Sequence, residues 1–253
     1  MIFLKGKKQF VEDLDREVSV VKQSTYFTQD TSKDFHTKYG IIKKADLVKC
    51  GRVLSDQGKE FSVCEASFID DYRRIKRLAQ IIPLKDIGFI IAKTGVGKDS
   101  VVVEAGSGSG AVSVFMARFV KCIVSYDISS ENQEVAKENA KKLGIDNITF
   151  KLGSIYDKIP EADVDLLCLD VPEPWLAIKT AGSCLKLGGF MVSYSPSITQ
   201  SVDFVNAANK SADFLHLKTV EVMEREWEID GRKVRPVSKS NVHSGFLSFV
   251  RRI

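Results

Sequence analysis

The chain has 253 residues, 44% of them hydrophobic and 28% charged, with a formal net charge of +4. That length accommodates one large domain and a smaller one. No apolar run approaches the roughly 20 residues of a membrane span, and the first residues lack an apolar signal core with a small-residue cleavage site, so no membrane association and a cytoplasmic location are expected.

Five cysteines, odd in number and without a Cys-x-x-Cys pair, argue against a disulfide framework. His36, His216 and His243 are dispersed, and no metal centre is expected. The positive excess lies towards the two ends of the chain, while the middle is slightly acidic. A basic periphery suits a polyanionic partner such as nucleic acid, and it is equally what a solvated surface looks like.

Residues 1–70 read as a small β domain. Phe10 to Glu12, Glu17 to Val21 and Glu60 to Val63 are short and rich in β-branched or aromatic residues, with Gly40, Gly51 and Gly58 as turns. Residues 71–85 form a basic linker, with a helix predicted from Asp70 to Ala79. Its Arg73, Arg74, Lys76 and Arg77 are either a solvated face or an RNA-phosphate contact.

Residues 86–253 read as an α/β domain. A helix from Asp86 has an acidic first turn. Strand 100–105, helix 111–120, strand 122–126, helix 130–143 and strand 148–152 follow. Strand 165–169, helix 175–185 and strand 189–194 continue the alternation. Such alternation predicts a doubly wound parallel sheet with helices on both faces. After a helix at 199–209, strands at 217–229 and 245–250, separated by a polar stretch containing Gly231, Pro236 and Asn241, predict an antiparallel ending. That ending is usual for a class I methyltransferase, a Rossmann-like fold.

Ligands in doubly wound folds bind at the carboxyl ends of the strands, where strand order reverses. Here that point holds Gly106-Ser107-Gly108-Ser109-Gly110. Dinucleotide sites favour Gly-x-Gly-x-x-Gly, which seats a pyrophosphate at a helix N-terminus. This loop has tighter spacing and follows Glu104, whose carboxylate would repel a pyrophosphate and suit the cationic portion of S-adenosyl-L-methionine. Asp127 ends the next strand, where a carboxylate accepts hydrogen bonds from ribose hydroxyls. One such loop alone is often a packing turn; the loop, Glu104 and Asp127 together point to the cofactor.

Strand 165–169 delivers Asp170-Val-Pro-Glu-Pro-Trp175 to the same sheet edge. Asp170 reads as the catalytic carboxylate, or more plainly as a helix cap. The prolines restrict the loop, and Trp175 reads as a packing residue. Methyl transfer from a sulfonium is an in-line displacement, in which positioning dominates. A carboxylate accepting from the exocyclic amine of adenine would orient that base for attack by ring N1 and stabilise the charge that develops.

With those residues in place, the sequence resembles the TrmI-type tRNA (adenine-N1)-methyltransferases nearly end to end. The likeness is carried by Phe35 to Ile42, Asp71-Tyr72, Lys76-Arg77 and Gln80, Lys85-Asp86, Val103 to Gly110, Ser125 to Asp127 and Leu169 to Trp175. It continues through Arg225 to Glu228, Arg235-Pro236, His243 to Leu247 and Arg251-Arg252. The resemblance implies methylation of N1 of T-loop adenine 57 or 58 of tRNA, with Asp170 catalytic. It also implies a cofactor site of Glu104, Gly106, Ser107, Gly108, Ser109, Gly110, Asp127, Ser154, Ile155 and Asp170. Tyr72, Arg73, Lys76, Arg77 and Gln80 would lie near tRNA, and the assembly would be a homotetramer.

Three positions depart from the family pattern. Asp127 stands for the more usual Glu, Ser154 for an Asp that touches the cofactor adenine, and Pro83-Leu84 for an aromatic residue or His followed by Pro. Two other readings compete. One is a non-catalytic RNA-binding subunit, which would have lost the cofactor loop present here; the other is a methyltransferase acting on a protein or small molecule.

Overall fold

Alternation of side chains builds the first of two units. Glu60–Val63 alternates exposed and buried residues, as a two-residue period requires. It lies within a four-stranded antiparallel sheet of order Ser24–Tyr26, Ile2–Leu4, Glu60–Val63, Gly51–Leu54. Two hairpins join it, Lys7–Val11 with Arg16–Val21 and Phe35–Thr37 with Gly40–Ile42. Ile2, Leu4, Val21, Ile42, Leu47, Phe61 and Val63 form its core. The computed structural model describes residues 1–12, 16–78, 80–238 and 243–253, so Ala79 and Asn241 lie outside the described residues. The chain divides into Met1–Arg74 and Ile75–Ile253.

The basic stretch is not the single helix predicted from Asp70. A short helix runs over Phe68–Tyr72. Asp70 starts it early by accepting from the Ser67 N–H (2.9 Å) and hydroxyl (2.6 Å), a capping arrangement. The N–H groups of Lys76 and Leu78 then bond to the side chains of Asn139 and Ser109 instead of to helical carbonyls. Side chains from elsewhere in the chain satisfy this backbone, so no helix is needed.

Ile75–Ile253 contains a seven-stranded sheet. Its strands are β1 (Val101–Ala105), β2 (Cys122–Asp127), β3 (Ile148–Leu152), β4 (Val164–Leu169), β5 (Leu185–Ser195), β6 (Phe214–Glu221) and β7 (Phe246–Arg252). Their order is β3-β2-β1-β4-β5-β7-β6. The first five are parallel, and β7 pairs antiparallel with both β5 and β6. This is the class I methyltransferase arrangement, with its antiparallel ending. The apolar runs of β1 and β4 are buried on both faces: Val102, Leu166 and Cys168 join one core, Val103, Leu167 and Leu169 the other.

Among the described residues, five helices cover the sheet: α1 (Leu84–Thr94), α2 (Ala111–Met116), α3 (Ser130–Lys142), α4 (Ile178–Cys184) and α5 (Ile198–Lys210). In α1, Ile87 and Ile90 are fully buried one turn apart, and Gly95 ends the helix at φ 66°. A 3₁₀ turn, Pro174–Ala177, precedes α4, because Pro suits the first positions of a helical turn. The predicted strand 217–229 is two elements. Polar Glu224-Arg225-Glu226 interrupts it after β6, and Trp227–Asp230 pairs instead with Lys233–Pro236 in a separate hairpin turning at Gly231. Among the described residues, no helix is long and apolar enough to cross a membrane.

Candidate active site

Parallel pairing places the carboxyl ends of β1, β2, β3 and β4 on one edge, with the order reversing between β1 and β4. The glycine loop leaves β1 there. The N–H groups of Gly106 and Ser107 donate to the Tyr126 carbonyl at 2.9 and 3.1 Å, and Gly108 N–H donates to Asp127 Oδ2 at 2.9 Å. Gly110 opens α2 at φ 76°, and a Cβ on it would sit 3.0 Å from the Ala136 Cβ. Absence of a side chain therefore lets the loop pack on α3.

Beneath the loop is a buried polar layer. Ser107 Oγ lies 2.6 Å from Ser125 Oγ, and Gln133 Nε2 donates to Ser107 Oγ at 3.0 Å. Ser109 Oγ accepts from Leu78 N–H at 3.0 Å, and its carbonyl accepts from Asn139 Nδ2 at 2.9 Å. The Ser107 and Ser109 hydroxyls are thus engaged in holding the loop. Ser125 entered the sequence reading only as part of the Ser125 to Asp127 motif, and Gln133 and Asn139 were not singled out. The available signal was amphipathic: Gln133 and Asn139 occupy the inward face of α3 with Val135, Ala136 and Ala140, where a polar side chain must find partners.

Glu104 is 1% exposed. Its Oε2 accepts from the Ser125 hydroxyl, and its Oε1 has no partner among the described residues. Burial pushes its carboxyl up to about 7, and the charges of Asp170 and Asp127 add to that against the Ser125 hydrogen bond. Asp127 is more heavily committed than its expected ribose role requires. It accepts from Gly108 N–H, from Ser129 N–H at 2.8 Å and from the Asn132 amide at 3.2 and 3.3 Å. Its shorter side chain ties the glycine loop to the start of α3.

Two cavities flank Asp170. One, about 200 Å³, is lined by Gly106, Asp127, Ile128, Ser154, Ile155 and Tyr156, with Ala105, Tyr126, Gly153, Val171 and Pro172. The Ser154 hydroxyl accepts from Tyr156 N–H at 3.1 Å. Among the described residues, no Lys or Arg lines this cavity. The second, about 170 Å³, is lined by Gln80, Ile81, Ile82, Tyr194, Pro196 and Ser244. Among the described residues, Asp170 alone is common to both walls, and desolvation pushes its carboxyl up to about 7. Pro83 is at the N-cap of α1, outside this lining; the ring in the second cavity is Tyr194, whose hydroxyl donates to the Ser244 carbonyl at 2.6 Å. A larger cavity, about 400 Å³, lies within Met1–Arg74 and holds none of the candidate residues except the linker's Asp71.

The expected RNA-facing residues divide. Arg73, Lys76, Arg77 and Gln80 are exposed. Tyr72 is 1% exposed and packs against Phe68 with ring centroids 5.8 Å apart, so its side chain belongs to a core. Arg74 lies over the Phe27 ring at 4.1 Å. Among the described residues, no three His, Cys, Asp or Glu side chains converge as metal ligands do.

At this edge two cavities meet at one carboxylate. Residues 74–244 match the family described as the tRNA methyltransferase complex GCD14 subunit. The chain is 32% identical to a tRNA (adenine(57)-N(1)/adenine(58)-N(1))-methyltransferase TrmI of Methanocaldococcus jannaschii, covering 89% of this chain and 90% of that one. It is 30% identical to the tRNA (adenine(58)-N(1))-methyltransferase TrmI of Thermus thermophilus, covering 86% and 88%. A SAM-dependent O-methyltransferase structure from Thermotoga maritima superposes with a TM-score of 0.81 at 26% identity, covering 100% of this chain and 92% of that one. The tRNA (m1A58) methyltransferase TrmI of Aquifex aeolicus has the same fold, with a TM-score of 0.79 at 21% identity over 100% and 96%. The chain belongs to the TrmI family of SAM-dependent tRNA (adenine-N1)-methyltransferases.

Proposed function

We propose that this chain transfers a methyl group from S-adenosyl-L-methionine to N1 of an adenine in the T-loop of tRNA, at position 57 or 58. The observation that carries the reading is Asp170 as the shared wall of two cavities, one suited to the donor and one to the base.

The first cavity suits an adenosyl sulfonium. Asp127 and Asp170 line it, and among the described residues no Lys or Arg compensates them and the buried Glu104 Oε1 has no hydrogen-bond partner. Such a site attracts a cation and disfavours a polyphosphate. Ile128, Ile155 and Tyr156 offer apolar faces for a purine. Glu104, the backbone of Gly106 to Gly110, Asp127, Ser154 and Ile155 would hold the cofactor. When bound, it supplies an electrophilic methyl group.

Asp170 does the orienting. Its carboxylate accepts a hydrogen bond from the exocyclic amine of the adenine in the second cavity and offsets the positive charge that develops on the ring. Ring N1 carries a free lone pair, so no residue needs to remove a proton before attack. Low solvent access strengthens that interaction, and Pro172 and Pro174 restrict the loop that carries it. Arg73, Lys76, Arg77 and Gln80 bind tRNA, the cations through its phosphates, whereas Tyr72 contributes by packing.

The active assembly is a homotetramer working in the cytoplasm, a state that light scattering of the purified protein checks. The function itself is tested by incubating the protein with unmodified tRNA and labelled cofactor, followed by nucleoside mapping. Labelled N1-methyladenosine in the T-loop is the expected product; its absence would sink the proposal.

A further inference from the structure

We propose that Asn139 is a positioning residue that joins the cofactor loop to the segment walling the second cavity, so that cofactor and tRNA strengthen each other's binding. This rests on the methyltransferase reading above and adds a residue and a coupling to it.

Asn139 lies on the inward face near the end of α3 and is 2% exposed. Its Oδ1 accepts from Lys76 N–H at 2.9 Å, and its Nδ2 donates to the Lys76 carbonyl at 2.9 Å. The same Nδ2 donates to the Ser109 carbonyl at 2.9 Å. Ser109 closes the circuit, since its hydroxyl accepts from Leu78 N–H at 3.0 Å. One buried amide thereby holds residue 76 in both polar directions and holds the glycine loop as well.

The segment it holds leads from exposed Lys76 and Arg77 to Gln80, Ile81 and Ile82 in the second cavity. Ile75 and Ile82 are buried, while Lys76, Arg77 and Leu78 are exposed. Little apolar burial fixes those three residues, so these hydrogen bonds decide where their backbone lies. A ligand that orders the glycine loop orders Ser109, and through Asn139 it orders Lys76. tRNA drawn to Lys76 and Arg77 acts along the same bonds in reverse, and such coupling is reciprocal by thermodynamic necessity.

The test measures cofactor Kd with and without unmodified tRNA, and amide hydrogen exchange of the protein without ligands. In the wild type, tRNA should tighten cofactor binding and cofactor should tighten tRNA binding by the same factor. Asn139→Ala should bring that factor close to one and raise both KM values by about three- to ten-fold, the scale of one or two hydrogen bonds. Its kcat at saturation should stay within about two-fold. Exchange at the Lys76 amide should be slow in the wild type and fast in Asn139→Ala. Ser109→Ala should release the Leu78 amide alone and weaken the coupling less, which keeps the test usable should Asn139→Ala not fold. Unchanged coupling in both variants, or a wild-type Lys76 amide that exchanges freely, overturns the inference. A wild type that leaves tRNA unmethylated overturns the functional reading instead, and the exchange pattern still tests the link.

Discussion

Gly106 and Asp170 approach so closely across the reversal between β1 and β4 that a Cβ on residue 106 would lie 2.0 Å from the Asp170 carbonyl oxygen. Asp170 N–H donates to the Ala105 carbonyl at 2.8 Å, so the two loops are laced at their roots. Gly106 also holds φ at 90°, a conformation L side chains rarely adopt. The glycine loop and the loop that carries Asp170 are therefore positioned as one piece.

Gly106→Ala should abolish methylation without unfolding the protein. The strain at positive φ costs about 1–3 kcal/mol, and the displaced loop carries Asp170 with it. Cofactor titration should show at least ten-fold weaker binding while far-ultraviolet circular dichroism stays native. Retained binding and turnover would mean that the close approach has no functional consequence.

Asp170→Asn keeps shape but turns an acceptor oxygen into a donor facing an amine. Turnover should fall by about 10²–10³-fold, the cost of removing one preorganised electrostatic partner. Cofactor affinity should fall by less than turnover, because Glu104 and Asp127 remain to attract the cation. Single-turnover assays with saturating cofactor separate the two effects. Near-normal turnover would remove Asp170 from its role.

The sequence made the strand ends readable because residue type marks them, glycines in the loop and carboxylates at the ends of β1, β2 and β4, and the fold brings these to one edge. The parallel sheet was legible for the same reason the core is, since β1 and β4 are apolar on both faces. Illegible were features that depend on who satisfies a backbone group. The helix predicted over 70–79 fails because Asn139 and Ser109, distant in sequence, take the N–H groups of Lys76 and Leu78. The hydrogen bonds that Asp127 accepts from Gly108, Ser129 and Asn132 were illegible for the same reason. Local pattern carries no information on such pairings.

The pH dependence has a defined sign. Glu104 and Asp170 sit at about 7 in the folded protein against 4.5 and 3.8 for the unperturbed groups. Raised carboxyls contribute stability that is fully present below the unperturbed values and lost as pH rises through about 7. Ligand-free protein should therefore lose up to a few kcal/mol between pH 5 and pH 8, seen as a falling Tm. A cationic cofactor favours the ionised forms, so its binding should release protons near pH 6 and tighten as pH rises towards 8. Calorimetry in buffers of different ionisation enthalpy measures the release, and a pH-independent Kd would contradict it.

Tyr126 lines the first cavity and donates from its hydroxyl to Glu161 Oε2 at 2.6 Å, while Lys151 pairs with the other Glu161 oxygen. The pair anchors the far end of the loop that carries Ser154 and Ile155. Tyr126→Phe leaves Glu161 paired with Lys151 and should cost about 1 kcal/mol of stability. It should raise the cofactor KM several-fold with kcat little changed. An equal fall in kcat would place the hydroxyl in the chemistry and not in loop placement.

Asp86 is fully buried, and its Oδ2 accepts from Lys85 Nζ at 2.9 Å and from the Ser244 hydroxyl at 2.7 Å. Lys85 Nζ also reaches the Val222 carbonyl at 2.6 Å. This cluster sets Ser244, which lines the second cavity and receives the Tyr194 hydroxyl on its carbonyl. Asp86→Ala leaves a mostly buried ammonium without its counter-charge, so destabilisation should reach about 3–5 kcal/mol. Adding Lys85→Met to that variant removes the stranded charge and should restore much of the stability. The double variant still lacks what orients Ser244, so its tRNA KM should stay raised. Stability recovered together with normal tRNA KM would show that the cluster serves folding alone.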